Sequence, residues 1–171
     1  TYVYLSRILT KMGEKEEALR IASNIKMDRL QFRAYTQISQ VLLEQDDSVS
    51  ALDIASKVKN DWRADPLYAN ISRVFMERGE REESFRISSE IVDTSINSKT
   101  YLDLSQIMYE QGFEKESKST LNDSIRMASE ITNDYERSRL FETISKVLME
   151  QGDTKGAMRQ IKNSLILNAE I

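Results

Sequence analysis

The sequence has no cysteine and no histidine among its 171 residues, only one proline and one tryptophan, and five glycines. Without cysteine there is no disulfide and no thiolate nucleophile. Without histidine the usual near-neutral proton shuttle is missing, together with the commonest metal ligand. An all-β chain of this length would need many more turn residues than one proline and five glycines supply, so their scarcity favours helices. Charge of one sign is not concentrated either. The 24 Lys and Arg stand against 28 Asp and Glu, for a net charge of −4, and no basic run supplies the footprint that a phosphate backbone requires. No apolar stretch approaches the roughly 20 residues of a membrane span, and no signal-peptide pattern opens the chain. Phosphate-cradling glycine loops, zinc spacings and calcium loops are absent from the sequence. The expectations are therefore no nucleic-acid partner, no membrane, no cofactor, no metal, no catalysis and a cytoplasmic location.

What is present is an ordinary core-forming composition, 40% hydrophobic and 30% charged, arranged with a fixed period. Five segments align: Ser6 to Gly13, Ser39 to Asp46, Ser72 to Gly79, Ser105 to Gly112 and Ser145 to Gly152. Their serines are spaced by 33, 33, 33 and 40 residues, and an aromatic ring stands four positions before each: Tyr2, Tyr35, Tyr68, Tyr101 and Phe141. In the third segment Tyr68, Ile71, Val74 and Phe75 fall on one helical face. This first helix is expected to stop at Gly13, Gly79, Gly112 and Gly152, which accept the left-handed conformation of a helix C-terminus, with Asp46 taking that place once.

A second amphipathic segment follows each stop: Ala18 to Ile25, Ala51 to Val58 and Ser84 to Ile91 in the first three repeats. Two helices joined by a tight turn approach closely only where side chains are small. The five serines are therefore read as spacers opposing the Ala and Ser residues of the second helix, not as nucleophiles. Asp28, Asp61, Asp93 and the Asn133-Asp134 pair are expected to cap the next first helix, and Asp65-Pro66 marks such a start. Trp62 is read as an inter-repeat packing anchor. Aligning Lys115–Ile131 with Lys155–Ile171 shows a seven-residue extension of the second helix in repeats four and five. Seven residues shift the apolar stripe by only about 20°, so Leu121, Ser124, Ala128 and Ile131 should still face inward while the longer helix forms a ledge or changes the curvature.

A helix-turn-helix unit of this length, with Tyr68, Ile71, Ser72, Phe75 and Gly79 in the third repeat and Tyr35, Ile38, Ser39, Leu42, Ala51 and Ala55 in the second, resembles the tetratricopeptide repeat. The resemblance covers essentially the whole chain. It departs from the family pattern where serine replaces the commoner glycine and where the closing proline is missing. It implies an all-α fold, an α-solenoid with a right-handed superhelix of about five repeats spanning roughly 1–28, 29–61, 62–94, 95–134 and 135–171. It also implies a protein-interaction scaffold, with the first helices lining a concave groove. Pentatricopeptide repeats are similar in length but read RNA, and the acidic balance argues against them.

On that face the candidate partner-binding residues are Arg7, Gln40, Arg73, Gln106 and Lys146, which follow the serines, and Arg33, Lys99 and Arg139 near the helix starts. Leu43, Met76, Tyr109 and Met149 are the candidate apolar contacts. A ladder of cationic and amide side chains beside adaptable apolar ones suits an extended or helical peptide with acidic and apolar residues. Glu44, Glu77, Glu110 and Glu150 would form an acidic strip along one edge. A sensor array for a short signal peptide and a structural spacer in a larger assembly are the alternatives. Thr1 falls inside a first helix and Ile171 at the inward end of a second. The sequence therefore reads as a piece of a longer protein whose ends stack on a neighbouring copy.

Overall fold

The computed structural model describes residues 2–58 and 64–169; Thr1, Asp61, Trp62 and Ile171, to which expectations attach, lie outside them. The described residues form ten helices and no strand. The first helices of the repeats are α1 (Tyr2–Lys11), α3 (Asp28–Glu44), α5 (Asp65–Glu77), α7 (Thr94–Glu110) and α9 (Asp134–Glu150). The second helices are α2 (Lys15–Ser23), α4 (Ser48–Lys57), α6 (Arg81–Ser88), α8 (Glu114–Ser129) and α10 (Thr154–Ala169). Each first helix packs on the second helix that follows it, and the extensive contacts all join helices one or two places apart in chain order. The core follows suit. One cluster runs through the first three hairpins, another through the last two, and Met76, Leu104 and Met108 form a third between them.

The turns inside the hairpins are the most uniform feature. Gly13, Gly79, Gly112 and Gly152 have φ of 85°, 81°, 85° and 80°, and Asp46 adopts 63° at the equivalent place. In all five turns the amide after this residue returns to a carbonyl of the last helical turn, as from Glu80 to Phe75 at 2.9 Å and from Asp47 to Leu42 at 2.8 Å. These bonds satisfy carbonyls that the helix end would otherwise leave free. A Cβ at Gly79 would meet nothing within 4 Å, so Gly79→Ala should cost only the left-handed backbone, about 1–2 kcal/mol. Asp46→Gly should do the reverse. Its carboxylate pairs with Arg78 at 2.5 Å but is 87% exposed, so little is lost with it, and a gain of under about 1 kcal/mol is expected. Urea denaturation of the two variants measures both.

Helix starts divide the expected caps. Asp93 accepts from the amide of Ile96 and Asn133 from that of Glu136, at 2.8 and 3.0 Å. Asp28 does not act as a cap: it is the first residue inside α3, and Met27 stands at the capping position without a side-chain bond. Asp65 opens α5 beside Pro66. It is buried, and its carboxylate accepts from the amide of Asp93 at 2.7 Å, joining one hairpin's start to the next.

The serine spacers are buried at all five positions. Ser72 Oγ donates to the Ser84 carbonyl and Ser84 Oγ donates to the Ser72 carbonyl, both at 2.8 Å. Such reciprocal bonds require the two backbones to lie as close as small side chains permit. Second-helix lengths are 9, 10 and 8 residues in the first three hairpins and 16 in α8 and α10. The added turns are not a free ledge. They run along the start of the first helix, where Ser98 exchanges bonds with Ser124 at 2.8 Å in both directions and Ser138 meets Ser164 Oγ at 2.8 Å. Leu121, Ser124, Ala128 and Ile131 are all buried, as the seven-residue step requires.

Candidate functional site

Successive first helices touch one another, α1 with α3, α3 with α5, α5 with α7 and α7 with α9. Because each is cylindrical, adjacent pairs leave a furrow, and clefts lie between α3 and α5, between α5 and α7, and between α7 and α9. The cleft between α3 and α5 holds about 340 Å3, with Gln40, Leu43 and Glu44 on one wall and Asn70, Glu77 and Arg78 on the other. Between α5 and α7 about 250 Å3 is lined by Arg73, Glu77, Asp103, Gln106, Ile107 and Glu110. Between α7 and α9 about 370 Å3 is lined chiefly by Lys99, Tyr135, Glu136, Arg139, Leu140 and Thr143.

The charges of these clefts differ. In the α5–α7 cleft Arg73 lies 3.8 Å from Glu77, one helical turn along, and Asp103 and Glu110 stand opposite. Burial pushes the Asp103 carboxyl above its usual range, while the nearby charges of Arg73 and Lys99 oppose the shift. The cationic ladder is therefore compensated here. In the α7–α9 cleft the balance is reversed: Lys99 and Arg139 face a single carboxylate, Glu136, and the Arg139 guanidinium lies 5.7 Å from the centre of the Tyr135 ring. A guanidinium that packs on an aromatic face keeps its edge free for an incoming carboxylate.

Of the expected site residues, Gln40, Arg73, Lys99, Gln106 and Arg139 line clefts. Arg7 is half-buried on α1, and Arg33, Lys146, Tyr109 and Met149 are exposed outside the three clefts. Two assignments are corrected. Met76 is fully buried in the cluster with Leu104 and Met108, and Leu43, though it forms a cleft wall, is buried within the core of the first three hairpins. Both lie where the next hairpin covers the helix, so they are packing residues. The reading of the first-helix face missed Asp103, Asn70 and Thr143. Their signal was available, because all three stand two positions before the repeated serine and so share one register.

A second recurrent device ties the second, third and fourth hairpins each to the one before. The side chain just before the turn residue reaches back to the carbonyl end of the preceding first helix. Gln45 Nε2 donates to Thr10 and Lys11, Arg78 to Leu43, and Gln111 Nε2 to Met76 and Glu77, at 3.0 to 3.4 Å. At the start of the second helix Lys15 Nζ reaches Ser50 Oγ at 2.5 Å, and the Arg81 guanidinium lies 3.6 Å above the Phe113 ring.

No protein-family model and no curated protein matches the sequence. The structure is similar to the crystal structure of Ton1535 from Thermococcus onnurineus NA1, with a TM-score of 0.50 and 17% identity over 99% of this chain. This chain spans about half of that one, 53% of its length. At this identity the likeness is one of all-helical fold. No described helix is long and apolar enough to cross a membrane.

Proposed function

We propose that the five hairpins form an α-solenoid of tetratricopeptide-like repeats, and that the face built by their first helices binds an extended segment of a partner protein. The observation that carries this reading is the row of three clefts between successive first helices, with Asn70, Asp103 and Thr143 recurring at one register within them. A segment laid along the row meets alternating character: a carboxylate-rich cleft at α5–α7 and a cationic, aromatic one at α7–α9. Its complement carries a basic or amide side chain followed by an acidic one, with apolar contacts to Ile107 and the Tyr135 ring. Binding of this kind draws on charge complementarity for register and on the apolar contacts for affinity. Clefts that recur between successive first helices suit an extended partner better than one small substrate, and 24 Lys and Arg against 28 Asp and Glu suit a phosphate backbone poorly.

Selection from a display library of short random peptides tests it. Enriched peptides should contain acidic residues. Lys99→Glu combined with Arg139→Glu should weaken their binding by about 1–3 kcal/mol, roughly 5- to 150-fold. Both side chains are exposed, so helical content should not change. Equal binding by the double variant would discard the α7–α9 cleft as the docking point.

A further inference from the structure

The row of clefts bends at α7. The α3–α5 and α5–α7 clefts are walled by residues from two before the repeated serine to six after it, towards the hairpin turns. Every residue that walls the α7–α9 cleft instead precedes the serine, from Ser95 and Lys99 on α7 to Tyr135 and Arg139 on α9. That cleft lies towards the opposite ends of the helices. Because α7 is a wall of both the second and the third cleft, a segment that enters both must cross α7 obliquely, running part of the way along it.

The side chains of α7 divide in the same way. Lys99 and Asp103 stand four residues apart, a spacing at which opposite charges can meet along a helix. They do not meet: Lys99 lines the α7–α9 cleft and Asp103 the α5–α7 cleft. Asp103 is half-buried, and among the described residues no hydrogen bond or ion pair reaches its carboxylate, on which the charges of Arg73 and Lys99 act from farther away. Arg73 is itself engaged, 3.8 Å from Glu77. In the neighbouring cleft Lys99 and Arg139 share one register, six residues before the serine, where α3 has Arg33 and α5 has Pro66. The α7–α9 pair thus brings two such cations to one cleft.

These positions set the spacing of charge that a bound segment must carry. From the register of Lys99 to that of Gln106, in the middle of the α5–α7 wall, α7 makes two turns and rises about 11 Å. The two clefts lie one interhelical spacing apart, about 8–10 Å. The diagonal is about 14 Å, which extended backbone at about 3.3 Å per residue crosses in about four residues, and residues four apart on an extended chain point to the same side. A helix would need its two charges about nine positions apart, which turns them to opposite faces. We infer that the partner segment is extended, crosses α7 obliquely, and carries a Lys or Arg for Asp103 and an Asp or Glu for Lys99 and Arg139, about four positions apart. The inference rests on the first-helix face as the binding surface and adds to it the path and the charge spacing of the partner.

Peptides enriched by display on the 171-residue chain test it. A basic and an acidic residue should recur in them about four positions apart. For one such peptide, calorimetric titration of the wild-type chain and of Asp103→Asn, with the peptide's basic residue kept or replaced by alanine, completes a double-mutant cycle. Each change alone should weaken binding about tenfold, and the second should add little to the first. Arg139→Gln and the peptide's acidic residue should be coupled in the same way. Moving the acidic residue by one position should also cost about tenfold, because it then points to the other side of an extended chain. Binding that is weakened by Lys99→Glu with Arg139→Glu but shows no coupling to Asp103, or that tolerates any spacing, would overturn the inference and leave the first-helix face as the binding surface. A selection that yields no peptide sensitive to Lys99→Glu with Arg139→Glu would overturn both.

Discussion

Ile71→Ala should lower the unfolding free energy by about 2–5 kcal/mol, the range for a large aliphatic side chain removed from a closed core. Ile71 is 0% exposed in the cluster that joins the first three hairpins. Both the lost transfer free energy and the remaining cavity contribute. Leu5→Ala at the same register should cost only about 1 kcal/mol or less, because its side chain is already 42% exposed. The comparison holds sequence context nearly constant and varies only what covers the residue. Urea denaturation followed by circular dichroism measures both. Because Ile71 lies in the third of five hairpins, its loss should also loosen coupling between the two ends and broaden the transition, as in arrays stabilised by nearest-neighbour contacts. Equal costs at the two sites would show that the hairpin preceding Ile71 contributes nothing to its burial.

Ser72→Leu is the second large effect, about 3–5 kcal/mol. Overpacking a closed contact costs about 1–3 kcal/mol, and the two reciprocal bonds with Ser84 contribute about 1 kcal/mol each. Backbones held together by serine-to-carbonyl bonds at 2.8 Å leave no space for a branched side chain. Ser72→Ala keeps the close approach and should cost about 1 kcal/mol. Ser39 is the control. Its hydroxyl is buried without a hydrogen-bond partner, and the residue at the place of Ser84 is Ala51. Ser39→Ala should therefore be neutral or stabilising by up to about 1 kcal/mol. Opposite signs at two serines of one register would separate the hydroxyl's bonding from its size. A stabilising Ser72→Ala would remove bonding from the account.

How much of this was legible beforehand depends on the range of the interaction. Gly79 and Asp46 mark helix ends because a left-handed residue is a local requirement, readable from the residue and its place after an apolar stripe. The seven-residue extension of α8 and α10 was readable because helical periodicity maps an insertion of that length onto the same face. The misreadings are of another kind. Leu43 and Met76 carry the spacing of an open helical face but lie where a neighbouring hairpin descends on them. Asp28 looks like a cap, but the preceding chain brings Met27 to the capping position. The candidate site divides in the same way. Lys99 and Arg139 were selected as cations near helix starts, whereas the compensation of Arg73 by Glu77 and Asp103 required knowing which side chains face each other across α5 and α7.

The amino-acid sequence by itself determined the kind of element, the places where helices end, and the small residues that let each pair close, since these follow from backbone sterics and side-chain volume within about a dozen neighbouring positions. Only the tertiary structure decided which copies of a repeated position are buried. Thr10, Leu43, Met76 and Tyr109 occupy one register, yet the first three are buried and Tyr109, with a hairpin following it, is 37% exposed. Exposure is a property of the neighbouring elements that cover a position, and a periodic pattern contains no information about how far each neighbour covers it.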